Sequence, residues 1–269
     1  MSDLKLSLLQ QPLHWHQPEA NLATFEELIW QVSDEQPDVI VLPEMFTTGF
    51  TMEAAQVAEP MNFKTMRWMQ QMAAQMKAAI TGSFIVKEGR PPQPQYFNRL
   101  FWVLPDGTYH TYDKRHLFRM ADEHHTYTAG QEKLIVHWKG WRICPMVCYD
   151  LRFPVWSRNT ATTDGTMAYD LLLYVANWPA ARVGAWDVLL QARAVENLCY
   201  VAGVNRTGQD DKGIDYNGHS KVVGPRGEIL ADLGQEATIA SCTLSKEGLN
   251  RLRTKFPAYL DADRFSIEP

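Results

Sequence analysis

A chain of 269 residues, 45% apolar and 21% charged, is long enough to bury a sizeable core and has the composition of a soluble globular protein. Its net charge of −5 comes without a basic run, which argues against a nucleic-acid partner. No window nears the roughly 18 apolar residues that a membrane span needs. The opening residues lack a signal-peptide pattern.

Leu4 to Gln10 reads as a first strand. Asn21 can then cap a helix with apolar residues at Leu22, Phe25, Leu28, Ile29 and Val32, and Gln36-Pro37 ends it. Asp38 to Leu42 is a continuous apolar run, the mark of a strand covered on both faces. It delivers Glu44 into a loop. A lone loop glutamate is commonly solvated, but strand ends are where α/β sheets put functional groups. Met66, Met69, Met72 and Met76 recur at helical spacing and read as core packing.

Ala79 to Val86 is the next strand. A hairpin follows, Tyr96 to Leu104 and Thr108 to Tyr112 around Pro105-Asp106-Gly107. Its return strand runs into Asp113-Lys114-Arg115-His116, which by composition alone is a solvated charged tail. Leu117 to Gly130 has no periodicity and reads as a long functional loop carrying Glu123. Leu134 to His137 is a strand, and a central one starts at Trp141 and stops at Cys148. Pro154 then opens a helix, whose N-terminus would favour the Cys148 thiolate. Strand Tyr169 to Val175 ends in Ala176-Asn177-Trp178. A helix follows with Trp186, Leu189, Leu190 and Ala194 on one face, then strands Cys199 to Val204, Lys221 to Val223, Glu228 to Ala231 and Thr238 to Leu244. Ser245 caps a short helix. About a dozen strands exceed what one open sheet holds, so two packed mixed sheets with helices outside are expected. No repeat or linker divides the chain, which reads as one domain.

The four cysteines, Cys144, Cys148, Cys199 and Cys242, need no disulfide role in a chain this long, so a reducing, cytoplasmic setting is expected. His14 and His16, and the adjacent His124 and His125, have no cysteine cluster or helical H-x-x-x-H beside them. No metal site is expected.

Glu44, Lys114 and Cys148 each follow a strand. If those ends meet, the carboxylate can take the thiol proton. The ammonium can support the thiolate and the oxyanion formed when sulfur attacks a carbon–heteroatom multiple bond, with the Tyr149 backbone N–H as second donor.

In Leu42-Pro43-Glu44 with Gly49, Tyr112-Asp113-Lys114-Arg115-His116-Leu117-Phe118, and Cys148-Tyr149-Asp150-Leu151-Arg152-Phe153-Pro154, the sequence resembles the nitrilase superfamily of carbon–nitrogen hydrolases. The motifs occur in the family's order, and the likeness runs to about residue 243. It implies an α/β fold, a four-layer α-β-β-α sandwich, with residues 1–269 as one carbon–nitrogen hydrolase domain and a C-terminal tail from about 245. It also implies a homodimer or larger homo-oligomer, with no metal or organic cofactor. Glu44 becomes general base, Lys114 the oxyanion-side cation and Cys148 the nucleophile, whose thioester water hydrolyses. Glu123, seven residues before Gly130, matches the family's second glutamate, which orients Lys114 or protonates the leaving ammonia. Ala129 departs from the proline common before that glycine.

Residues 18–28, 42–50, 176–182 and 191–197 resemble the omega-amidase branch, which deamidates 2-oxoglutaramate and 2-oxosuccinamate. The far carboxylate of such a substrate needs cations or N–H donors. Arg152, Arg182 and Arg206 are candidates, each with a structural or exposed alternative. Asn177 and Trp178 would line the pocket, and Phe118 and Tyr149 would form an apolar wall. A nitrilase, an N-carbamoyl-amine amidase or an aliphatic amidase shares the triad, and a silent binding protein on the same fold has no need of all four polar residues.

Overall fold

The computed structural model describes residues 2–89, 93–162, 165–263 and 265–267, so positions 1, 90–92, 163, 164, 264, 268 and 269 of the expected domain lie outside it. The first part of the chain runs β1 (Leu4–Gln10), α1 (Pro18–Gln31), β2 (Val39–Val41), α2 (Ala54–Val57), β3 (Glu59–Pro60), α3 (Lys64–Met76), β4 (Ala79–Glu88), β5 (Gln95–Val103) and β6 (Tyr109–Asp113). After the one-turn α4 (Glu123–Thr126) come β7 (Val136–Trp138), β8 (Trp141–Val147), α5 (Pro154–Ser157), β9 (Leu171–Ala176), α6 (Val183–Asn197) and β10 (Tyr200–Asn205). The hairpin β11 (Thr207–Gln209) and β12 (Asp215–Asn217), the strands β13 (Lys221–Val223), β14 (Ile229–Asp232) and β15 (Thr238–Leu244), and α7 (Lys246–Lys255) complete it.

One sheet has the order β15–β1–β2–β4–β5–β6, with β3 beside β4; the other has the order β14–β13–β10–β9–β8–β7. Each is parallel at its centre and antiparallel at its edges. The pleat explains the apolar run of β2. Val39 and Val41 face the second sheet, whereas Ile40 and Leu42 face α1 and α3, because successive side chains point to opposite sides. The methionine stripe supplies Met66, Met69 and Met72 to that outer layer. On the far side, Trp186 and Leu190 of α6 cover the second sheet. Gly203 of β10 lets them approach: a Cβ there would lie 2.7 Å from Trp186 and 2.8 Å from Leu190. Helix, sheet, sheet and helix make the four expected layers.

Ser245 caps α7 through its Oγ, which accepts from the Gly248 N–H at 3.2 Å. Asp170, fully buried, accepts from Lys246 at 2.5 Å and Arg253 at 2.7 Å and so ties α7 to the start of β9.

Three local expectations are corrected. Asn21 does not cap α1, which starts at Pro18; its buried side chain instead bonds the His14 backbone and the Thr47 carbonyl. The helix at Pro154 is one turn, preceded by a 3₁₀ turn over Cys148–Arg152, so no aligned macrodipole faces the thiol. The stretch from Leu117 to Gly130 is not wholly loop: a 3₁₀ turn (Arg119–Ala121) leads into α4. Among the described residues no helix is long and apolar enough to cross a membrane.

Candidate active site

Glu44 leaves β2 through Leu42-Pro43 and is fully buried. Such a carboxylate must be satisfied by donors. Its Oε1 accepts from Asn98 Nδ2 at 2.7 Å and Lys114 Nζ at 3.0 Å, and its Oε2 from the Asn177 N–H at 2.8 Å. Asn98 comes from β5 of the first sheet and Asn177 from the end of β9 in the second, so both sheets grip one side chain.

Lys114 follows β6 and is 1% exposed. Its Nζ donates to both oxygens of Glu123, each at 2.9 Å. Glu123 also accepts from the Phe118 N–H at 2.6 Å. Gly130 seats this segment: its N–H donates to the Lys114 carbonyl at 3.0 Å, and a Cβ on it would lie 2.1 Å from the Asp113 carbonyl oxygen. Burial alone would lower the Lys114 proton affinity, but Glu123 and then Glu44 reverse that and hold the ammonium charged. Burial, helped by Glu44 and opposed by Lys114, raises the Glu123 carboxyl above its ordinary range.

Cys148 begins the 3₁₀ turn with φ 42°, a left-handed conformation that costs a non-glycine residue about 1–3 kcal/mol. Asp150 stabilises the bend. It accepts from the Val147 N–H, the Tyr112 hydroxyl and the His116 N–H, and it pairs with the His116 ring at 2.7 Å. This fully buried carboxylate therefore ties the segment that carries Lys114 to the segment that carries Cys148. The thiol lies 3.9 Å from the Asn177 carbonyl and against the Glu44 carboxylate. Burial, then the Glu44 charge, push its pKa well up, with Lys114 opposing. That direction favours the protonated thiol.

Lys114 and Cys148 line a cavity of about 330 Å³, a size that suits a small molecule. Phe118, Tyr149, Arg152, Asn177, Trp178 and Arg182 all line it. Phe118 and Tyr149 meet edge to face at 5.0 Å. The guanidinium of Arg152 lies over Trp178 at 5.0 Å and that of Arg182 over Phe118 at 5.2 Å. Arg206 is not in the wall; it is wholly buried over Tyr216 and donates to the Thr207 and Gln209 carbonyls. Asn177 turns out to hold Glu44 as well as to line the cavity. Asn98 and the role of Asp150 went unforeseen, as did the hairpin that brings Asp210, Lys212, Ile214 and Tyr216 to the mouth. The one signal for that hairpin was the turn-forming Asp210-Asp211-Lys212-Gly213.

The carbon-nitrogen hydrolase family profile matches residues 5–254. The omega-amidase YafV of Yersinia enterocolitica is 51% identical over 269 residues, covering 99% of this chain and all of that protein. The 2-oxoglutaramate amidase of Bacillus subtilis is 31% identical, covering 95% and 96%. The crystal structure of XC1258 from Xanthomonas campestris, a CN-hydrolase superfamily protein with an arsenic adduct in its active site, superposes with a TM-score of 0.95 at 46% identity over both full chains. The chain belongs to the carbon-nitrogen hydrolase family, in the omega-amidase branch of the nitrilase superfamily.

Proposed function

We propose that this enzyme hydrolyses the terminal amide of small omega-amido 2-oxo acids, 2-oxoglutaramate and 2-oxosuccinamate, through a thioester at Cys148. The observation that carries the reading is Lys114 Nζ, held between Glu44 and Glu123, with Lys114 and Cys148 both lining the cavity. The names of the Yersinia and Bacillus relatives support the substrate class.

In this mechanism the thiol proton passes to Glu44 as sulfur attacks the amide carbon. Lys114 and the Tyr149 N–H receive the oxyanion. The proton on Glu44 goes to the amide nitrogen as the carbon–nitrogen bond breaks, releasing ammonia. Water then gives a proton to Glu44, attacks the thioester carbon and restores the thiol. Asn98 and Asn177 are positioning residues that aim Glu44, and Glu123 positions Lys114.

Arg152 and Arg182 are the choice for the far carboxylate. Both guanidinium groups stack on aromatic wall residues and face the cavity, which leaves their N–H edges for a bidentate carboxylate. The chain is read as one domain because β15 pairs along all of β1 and α7 is pinned by Asp170. A homo-oligomer and a reducing, cytoplasmic setting complete the reading; the free thiols of Cys144, Cys199 and Cys242 support the latter.

The test is ammonia release from 2-oxoglutaramate, 2-oxosuccinamate, glutamine, a simple aliphatic amide, an N-carbamoyl amine and a nitrile, with Cys148→Ala alongside. Turnover of the two keto-acid amides that vanishes in Cys148→Ala is expected. Preference for another member of the panel would overturn the substrate assignment, and activity retained by Cys148→Ala would overturn the nucleophile.

A further inference from the structure

The adjacent histidines His124 and His125 carry no metal signature in the sequence, because no third ligand stands at a recognised spacing. The fold supplies one. Asp122, in the left-handed conformation at φ 57°, turns its carboxylate toward the two imidazoles, and one ligand atom from each of the three residues lies within 4.8 Å of the others. The His125 N–H donates to the Asp122 carbonyl at 3.0 Å, which closes the turn and holds the three in place. The two ring centroids lie 3.9 Å apart, with the ring planes tilted by 39°. The Nδ1 atom of His124 is enclosed by the protein and has no hydrogen-bond partner among the described residues. An enclosed imidazole nitrogen without a donor or acceptor is unusual unless something else occupies its lone pair.

We propose that Asp122, His124 and His125 bind one divalent ion of the zinc group at the rim of the active-site cavity, and that the bound ion slows turnover. Imidazole and carboxylate ligands suit Zn²⁺, whose bonds of about 2.0–2.2 Å place ligand atoms roughly 3.4 Å apart in tetrahedral geometry. The present spread therefore has to close by about 1.4 Å at most, within reach of side chains that are exposed or half-buried. Arg119 lies near His124 and opposes a cation there, which favours an ion with strong nitrogen ligands over a hard, oxygen-seeking one.

The coupling to catalysis is positional. Glu123 stands between Asp122 and His124, and its carboxylate holds Lys114. Drawing the residues on both sides of it toward one ion shifts the turn that aims that carboxylate. Displacements of about 1 Å in such a positioning group can cost on the order of 10²-fold in rate. Asp122 also forms part of the cavity wall, so the ion would sit where substrate enters.

The site stands independently of which amide the enzyme prefers, and the first measurement needs no turnover. Zinc is titrated calorimetrically into Cys148→Ala, which removes the catalytic sulfur as a competing ligand. One zinc per chain is expected, with affinity at least ~10-fold weaker in Cys148→Ala carrying His124→Ala or His125→Ala. Circular dichroism confirms that both fold. Binding unchanged by either substitution overturns the site. In the enzyme with Cys148 intact, zinc should lower kcat, a chelator should restore it, and His125→Ala should need at least ~10-fold more zinc for the same inhibition. Equal inhibition of His125→Ala and the parent overturns the coupling.

Discussion

Glu123→Gln separates positioning Lys114 from carrying a proton. Both carboxylate oxygens lie 2.9 Å from Lys114 Nζ, and one also accepts the Phe118 N–H at 2.6 Å. Glutamine keeps one oxygen. In either orientation its NH₂ faces a buried donor, so one charge-assisted bond is lost and one donor is left without an acceptor. That costs about 1.5–3 kcal/mol. Expressed wholly in the transition state, the loss is about a 10- to 150-fold drop in kcat. Lys114 keeps Glu44 at 3.0 Å, which prevents total loss. The assay is kcat and KM for the preferred amide across pH, with thermal unfolding as the control for folding. Protonating Glu123 as pH falls removes one of the two partners of Lys114, and because that carboxyl sits above its ordinary range the acid limb of the parent begins early. Glu123→Gln lacks that limb. A kcat within twofold of the parent would refute the positioning role. A loss as deep as that of Glu44→Gln would make Glu123 a proton carrier.

Asp170→Asn should lower the urea midpoint at pH 7 by an amount equivalent to about 3–5 kcal/mol, because Lys246 and Arg253 lose a buried partner. Burial works against ionisation of Asp170, but Arg142, Lys246 and Arg253 prevail and lower its pKa to about 2 from 3.8. Its stabilisation is thus present above pH 3.8 and lost as pH falls through 2, so the parent and variant midpoints should converge in acid; equal midpoints at pH 7 would sink the argument. Gly130→Ala should cut kcat together with thermal stability, since its Cβ would meet the Asp113 carbonyl at 2.1 Å and the backbone before Lys114 must move. Parental values for both would show that the segment yields elsewhere.

The sequence revealed most of the sheets because their strands carry period-two or doubly buried patterns. The edges of β1, β15 and β8 follow from where apolar runs meet Gln, Ser and Cys. What it concealed was held by single polar contacts. Asn21 has the composition of a cap, and only the folded chain brings the His14 and Thr47 backbones to its amide. Asn98 lies mid-strand between Phe97 and Arg99, 54 residues from the carboxylate it holds, and no local pattern records that pairing. The hairpin at the cavity mouth is made of polar, turn-forming residues with three-residue strands, too short to show alternation.

The largest difference between expectation and structure concerns how the thiol becomes nucleophilic. The sequence offered two routes, a helix end that favours the thiolate and a carboxylate that takes the thiol proton; the helix at Pro154 is a single turn and burial raises the thiol pKa, which leaves the carboxylate route. The fold provides one ammonium shared by two carboxylates. In the proposed resting state Lys114 is held by both, and the sulfur keeps its proton. In the proposed mechanism, proton transfer from sulfur neutralises Glu44 and weakens its hold on Lys114 as negative charge appears on sulfur and then on the substrate oxygen. The cation thereby becomes available to the charge that the reaction creates, and the total charge of the buried cluster does not change. A site of this kind avoids storing an exposed, oxidisable thiolate between turnovers. It requires that Glu44 and Lys114 stay within hydrogen-bond distance, which is what the two-sheet grip of Asn98 and Asn177 on Glu44, and of Glu123 on Lys114, secures.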